Sequence, residues 1–251
     1  MKPLEISLKG KIAIITGASR GIGQAIALRY ASLGAKIALV YRSSKEEAEN
    51  TIKKIKEMGS DGIAIQCDAS DTAASNEAVA RTIKHFGDLH ILVNNVAISH
   101  NIPFLALEEE MWKDTVSVNI NSMYNFSRAS LLHMRGNRYG RVLNIGSVCG
   151  VRPIAAVPVH YATTKGAMNA FTYSLAKEMA RYNILVNSIA PGLVETDLAT
   201  GLPDNRIKDF EKFCPLGRIG TTAEIADFTA FLVSDINSYM TGETVIVSGG
   251  L

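Results

Sequence analysis

Cysteine is scarce in this chain: Cys67, Cys149 and Cys214 are the only three among 251 residues. An odd, widely spaced set excludes a disulfide framework and suits a reducing cytoplasm, the expected location. Cys149 reads as a small packing residue rather than a nucleophile, because no catalytic triad accompanies it. The five histidines show no metal-ligand spacing, so no metal is expected. Charge of one sign is also lacking. Lys and Arg number 26 against 24 Asp and Glu, a net charge of +2, which is too small to argue for nucleic acid as a partner. No apolar run approaches the ~20 residues needed to cross a bilayer. The opening Met1-Lys2-Pro3-Leu4-Glu5 lacks the apolar core of a signal peptide. Proline-rich linkers, internal repeats and low-complexity stretches are absent, so residues 1–251 are expected to form one domain.

What is present is an alternation. Apolar runs at 12–16, 37–41, 62–67, 91–94, 142–145, 185–189 and 244–247 read as strands. Between them lie longer segments of helical period, such as 46–58, 76–86, 112–134 and 162–182. Crossovers long enough for helices imply an α/β fold: a seven-stranded parallel sheet, doubly wound, with helices on both faces. In such folds ligands bind at the carboxyl ends of the strands. The stretch 192–213 is the least regular, broken by Gly201, Pro203 and Asp204. It follows a strand, so it is expected to be a mobile lid over a substrate.

The first apolar run leads into Thr16-Gly17-Ala18-Ser19-Arg20-Gly21-Ile22-Gly23 and then into a helical pattern. Glycines between a strand and a helix permit a tight turn and let a phosphate approach the backbone. The helix N-terminus adds free N–H groups and the positive end of its dipole. This is dinucleotide-site logic with the spacing Gly-x-x-x-Gly-x-Gly. The second strand ends Val40-Tyr41-Arg42-Ser43-Ser44 with no acid to hold a ribose 2′-hydroxyl. Arg42, with Arg20 inside the glycine turn, suits a 2′-phosphate instead, so NADP(H) is expected.

Tyr161 and Lys165 stand four apart, and Ser147 lies fourteen residues before the Tyr. On a helix, residues four apart share a face, which sets an ammonium beside a phenol. A neighbouring cation favours phenolate and is expected to bring the Tyr toward working pH as an acid–base group.

Together these residues resemble the short-chain dehydrogenase/reductase family. The resemblance runs the length of the chain and includes the glycine motif, Asn94-Asn95, Asn119, Ser147, Tyr161, Lys165, Pro191-Gly192 and Thr196, in the family's order. Pro215-Leu216-Gly217-Arg218-Ile219-Gly220 and Tyr239-Met240-Thr241-Gly242-Glu243 are similar to the branch of 3-oxoacyl-[acyl-carrier-protein] reductases. The resemblance implies NADPH-dependent reduction of a 3-oxoacyl thioester, in fatty-acid or polyketide-type synthesis. It gives Tyr161 the role of proton donor and Ser147 that of hydrogen-bond donor to the same oxygen. Lys165 would lower the Tyr pKa and bind the nicotinamide ribose, and Asn119 would hold a water that links Lys165 to solvent. Asp68 and Ala69 match the pair at the adenine ring, Asn95 a residue along the adenosine ribose, and Val194 and Thr196 the residues at the nicotinamide carboxamide. Ala97 lies where the backbone passes the cofactor.

The pattern is not followed everywhere. Ala97 stands where the family has Gly, the stretch from Ser147 to Tyr161 is one residue longer than usual, and Ser248 replaces a common Asp or Asn. An acidic carrier protein would need basic residues at the site mouth. Arg138 matches one such position in the family, while Tyr182 stands at the other with Arg181 beside it. The helices at 112–134 and 162–182 pack between subunits in the family, which implies a homotetramer. Two other readings stay open: a reductase of a free ketone, sugar or steroid-like alcohol, and a non-catalytic NADP-binding regulator.

Overall fold

Strands form where β-branched and aliphatic residues run together. β1 (Ile12–Thr16) and β4 (Ile91–Asn94) are buried at every position, as expected of strands covered on both faces. A computed structural model describes residues 5–154, 157–196 and 204–251, with the side chains of 204–206 left aside. The other strands are β2 (Lys36–Tyr41), β3 (Gly62–Gln66), β5 (Gly140–Ile145), β6 (Ile184–Pro191) and β7 (Thr244–Val247). All pair in parallel in the order β3-β2-β1-β4-β5-β6-β7. The order reverses between β1 and β4, and that reversal opens a crevice at their carboxyl ends.

Helices cover both faces. On one side α1 (Gly21–Ser32) and α2 (Lys45–Glu57) bring Ile26, Tyr30, Ile52 and Ile55 onto the sheet, joined by Ile225 and Val233 of a helix near the end of the chain. On the other side α3 (Thr72–Phe86), α5 (Ser122–Asn137) and α6 (Val159–Met179) bury Val79, Phe126, Met134 and Ala176. The remaining helices are α4 (Glu109–Val116), α7 (Asp204–Phe213) and α8 (Thr222–Val233), the last being that helix near the chain end.

The long helix expected at 112–134 is interrupted. Between α4 and α5 lies one π-helical segment, Ser117–Asn121, carrying the fully buried Asn119. Its side chain is bonded outside the helix, to Ile98 and Thr164, and such insertion is a common cause of a wide turn. The helix expected to reach residue 182 ends at Met179 and tightens into a 3-10 turn over Ala180–Tyr182. Within the expected lid, α7 is a regular helix, while residues 197–203 lie outside the described residues. Among the described residues no helix is long and apolar enough to cross a membrane.

Asp71 caps α3 by accepting from the Ala74 N–H at 2.7 Å. Asp71→Ala should therefore lower stability by about 1 kcal/mol, seen as a fall of about 2–4 °C in Tm by calorimetry.

Candidate active site

The glycine turn joins β1 to α1. Gly17 and Gly21 adopt φ of +63° and +58°, open to glycine at little strain. Gly23 is required by proximity: a Cβ there would lie 2.5 Å from the Gly17 carbonyl and 2.6 Å from Asn95 Nδ2. Arg20 precedes the helix and does not cap it, and no acid occupies the first turn. The first N–H groups of α1 thus open toward the crevice with Ser19 and Ile22 beside them, a cradle that fits a pyrophosphate. Asn95 clasps this turn from β4, donating from Nδ2 to the carbonyls of Thr16 (3.0 Å) and Gly17 (3.1 Å). Its own N–H donates to Thr16 Oγ1 at 3.0 Å.

The other expected cofactor residues follow the strand ends in order. Arg42 and Ser43 are exposed just beyond β2. No carboxylate ends that strand, and Asp68 beyond β3 is near enough to feel the Arg42 charge. The Asp68 carboxyl is held below its ordinary pKa first by the Ser70 hydroxyl (2.6 Å), then by the Ser70 N–H (2.9 Å). Ala69 is buried, and its carbonyl accepts from Asn125 and Ser75. Ala97 lies in the loop that follows Asn95. Pro191 ends β6 and Gly192 follows it, close against Ser248. Val194 is buried and bridges to Gly220, and the Thr196 side chain faces Gly21. The cradle, the basic residue past β2 and these strand-end positions fit a phosphorylated dinucleotide.

Ser147, Tyr161 and Lys165 meet where β5 ends against α6. Gly150 permits this contact, since a Cβ there would sit 2.6 Å from the Lys165 carbonyl carbon. Asn169 ties the same turn down by donating to the Gly150 carbonyl at 2.8 Å. Lys165 is 2 % exposed, and its Nζ donates to the Ile145 carbonyl at 2.6 Å. Desolvation lowers its pKa to about 8. Its Nζ lies 5.6 Å from the Tyr161 ring centroid.

One expectation changes here. Burial pushes the Tyr161 phenol above its ordinary pKa, the Cys149 sulfur adds to the rise, and the Ser147 hydroxyl opposes it. The lowering expected from Lys165 is absent from this arrangement. Asn119 Oδ1 accepts from the Ile98 N–H (2.8 Å), while Nδ2 donates to the Ile98 carbonyl and Thr164 Oγ1 (3.0 Å each). The side chain is a clasp between the loop after β4 and α6.

Arg138 and Arg181 lie together, Arg138 Nη2 donating to the Arg181 carbonyl at 3.0 Å. Both precede their strands, β5 and β6, whereas Ser147 follows β5. They sit at the opposite edge of the sheet from this chain's own catalytic trio, so the expected place at its mouth is corrected. Residues with no signal in their spacing also build the site: Thr16, Ile98, the Ile145 carbonyl, Thr164 and Cys149. Gly150, three positions after Ser147, was a signal available in the sequence.

A buried ammonium destabilises the folded chain at neutral pH. With its folded pKa near 8 and a usual value of 10.5, the stability withheld by Lys165 returns only as pH climbs between these values. Lys165→Met should therefore match or exceed the parent Tm at pH 7. That advantage should shrink as thermal unfolding is followed from pH 8 toward 10.5.

Comparison with known proteins adds the family. A family model described as enoyl-(acyl carrier protein) reductase matches residues 17–251. The 3-oxoacyl-[acyl-carrier-protein] reductase FabG of Pseudomonas aeruginosa is 40% identical over 250 residues, covering 98% of this chain and 99% of the relative. The crystal structure of a 3-oxoacyl-[acyl-carrier protein] reductase from Brucella melitensis superposes with a TM-score of 0.91 at 34% identity, covering 100% of this chain and 98% of that one. A short chain dehydrogenase from Burkholderia cenocepacia, in complex with NADP, gives 0.91 at 32% identity, covering 97% and 98%. With its glycine cradle, its strand-end trio and these full-length likenesses, the chain belongs to the short-chain dehydrogenase/reductase family.

Proposed function

We propose that this chain is an NADPH-dependent ketoreductase that converts a 3-oxoacyl thioester on an acyl carrier protein to the 3-hydroxyacyl form. The observation that carries this reading is the convergence of Ser147, Tyr161 and buried Lys165 at the carboxyl end of β5, on the edge of the sheet that holds the glycine cradle. The relatives named above support the substrate class, and the NADP complex supports the cofactor together with Arg42.

When bound, NADPH supplies the hydride to the ketone carbon. Gly17, Gly21 and Gly23 cradle its pyrophosphate, with Ser19, Arg20 and Ile22 at the helix entrance. Arg42 and Ser43 hold the 2′-phosphate, and Asp68, Ala69 and Asn95 flank the adenosine. Ala97, Pro191, Gly192, Val194 and Thr196 border the nicotinamide half. Ser147 donates a hydrogen bond to the ketone oxygen and fixes its orientation. Tyr161 gives its proton to the same oxygen as charge builds there. The phenol is protonated at working pH and can donate, although burial makes it a weaker acid than a free tyrosine. The Lys165 ammonium would hold the nicotinamide ribose. Asn119 acts through its clasp, fixing α6 so that Tyr161 and Lys165 keep their places.

The finer assembly belongs to the same proposal. The face between α5 and α6 leaves Tyr124 and Leu132 about half exposed, an apolar surface suited to subunit packing in a homotetramer. Arg138 and Arg181 would then greet a carrier protein beside a neighbouring subunit's site. Segment 192–213 serves as the lid, with Phe213 exposed at its end. The protein works in the cytoplasm, without nucleic acid or membrane.

The description of the matching family model favours a second reading, reduction of the carbon–carbon double bond of a 2-enoyl thioester. Comparing acetoacetyl and crotonyl thioesters, on carrier protein and on a pantetheine mimic, separates the two, with NADH and a free ketone as controls. Fast NADPH oxidation with acetoacetyl carrier protein, giving the 3-hydroxy product, is expected. Turnover of crotonyl thioester alone, or of the free ketone alone, would overturn the assignment.

A further inference from the structure

Cys149 is the one nucleophilic side chain at this site that the mechanism above leaves without work. It stands two residues after Ser147, in the 3-10 turn Val148–Gly150. Its sulfur lies 3.1 Å from Ser147 Oγ, and its main-chain N–H donates to the same oxygen at 3.4 Å. The sulfur is also close enough to act electrostatically on both Tyr161 and Lys165.

The turn is not free to shift. The Gly150 N–H donates to the Ser147 carbonyl at 2.9 Å, and Arg152 N–H to Val148 at 2.9 Å. Gly150 is wedged against the Lys165 backbone and tied by Asn169. Cys149 and Ser147 are therefore fixed relative to each other and to α6.

A hydroxyl carries one proton and two lone pairs. If both Cys149 donors are directed at Ser147 Oγ, both lone pairs are filled from below. The one proton left must then be given to a neighbour. Oxygen is a better acceptor than sulfur, so the opposite polarity, with the hydroxyl donating to the thiol, is the weaker one wherever a phenol or ketone oxygen is in reach.

We propose that Cys149 is a positioning residue: its S–H and N–H saturate the Ser147 oxygen and so commit the one Ser147 proton to Tyr161 while the site is empty and to the reacting oxygen once substrate is bound. This rests on the ketoreductase reading above for its consequence, though not for its geometry. Burial raises the Cys149 thiol above its ordinary pKa, so the sulfur keeps the proton it needs. A Ser147 that donates favours tyrosinate, consistent with the direction in which it moves the Tyr161 pKa. Among the described residues the other titratable groups near Tyr161 are Lys165 on the same helix and His160 beside it, with His100 on the facing loop. Each of these is the same in the variants below.

Cys149→Val removes the S–H while keeping a side chain of similar size. It should lower kcat for ketone reduction about three- to tenfold, the effect of one hydrogen bond of modest net strength, with the KM for NADPH unchanged. The pH profile of the reverse reaction, alcohol oxidation, should shift in its Tyr161 limb. Cys149→Ser restores a donor and should recover both. A merely structural role would leave the profile in place and make serine no better than valine. The bond itself is read without turnover, as the infrared S–H stretch of Cys149 isolated by subtracting the Cys149→Val spectrum. That band should rise in frequency in Ser147→Ala. A band indifferent to Ser147→Ala, or a Cys149→Val enzyme with the parent's profile, would overturn the proposal. If the parent protein reduces no thioester, the ketoreductase reading falls, and the infrared measurement still decides the hydrogen bond.

Discussion

The buried ammonium of Lys165 is the constraint around which this site is built. A charge removed from water must be given hydrogen-bond partners or lose its proton. Here the Ile145 carbonyl at 2.6 Å is the partner the fold provides, and burial still pulls the pKa down to about 8. That contact requires the first turns of α6 to lie flat on the end of β5. Lying flat requires a residue without a side chain at Gly150, and the packed turn in its turn fixes Ser147 and Cys149. One unfavourable burial thus sets the positions of four side chains, and the fold carries the loss in exchange for a cation held beside a phenol.

Two asparagine clasps hold the rest to this frame. Asn95 ties β4 to the glycine turn through two carbonyls, so the crevice between β1 and β4 keeps its shape. Asn119 ties the loop after β4 to α6 and leaves a π-helical turn in its own helix as the trace of that bond. A third polar link runs beneath the site, with Asn94 bonded to Ser127 and Asn144, and Asn144 to Thr172. Asn94, Asn119 and Asn144 are buried and each donates through its amide nitrogen, and buried polar groups of this kind select one arrangement over near alternatives. The cradle and the trio are therefore held in register by these side-chain amides.

Much of this was legible in the chain itself. The seven strands are short apolar runs between turn residues, and their period does not resemble that of the helices. The spacing of Tyr161 and Lys165 is a helical fact, and Ser147 ends a strand that had already been read. What was hidden depends on the third dimension. No spacing shows that the Asn119 amide faces Ile98, so an unbroken helix at 112–134 was the natural reading. Arg138 looked like a mouth residue because its place along the chain says nothing of which end of β5 it occupies. The direction of the Tyr161 shift depends on how deeply the ring is desolvated against how near the ammonium comes, and neither can be read from a four-residue interval. Cys149 looked inert for a related reason: a thiol gains a role here only through the oxygen 3.1 Å away.

The central claim is that Tyr161 delivers the proton to a ketone oxygen at a site whose cofactor cradle is independent of it. The most direct test is single-turnover reduction of an acetoacetyl thioester by Tyr161→Phe, with NADPH binding followed in parallel by fluorescence. The account predicts binding close to that of the parent protein and a loss of about 10²–10⁴-fold in the chemical step, the usual scale of general acid catalysis. Reduction within a few-fold of the parent rate would contradict it.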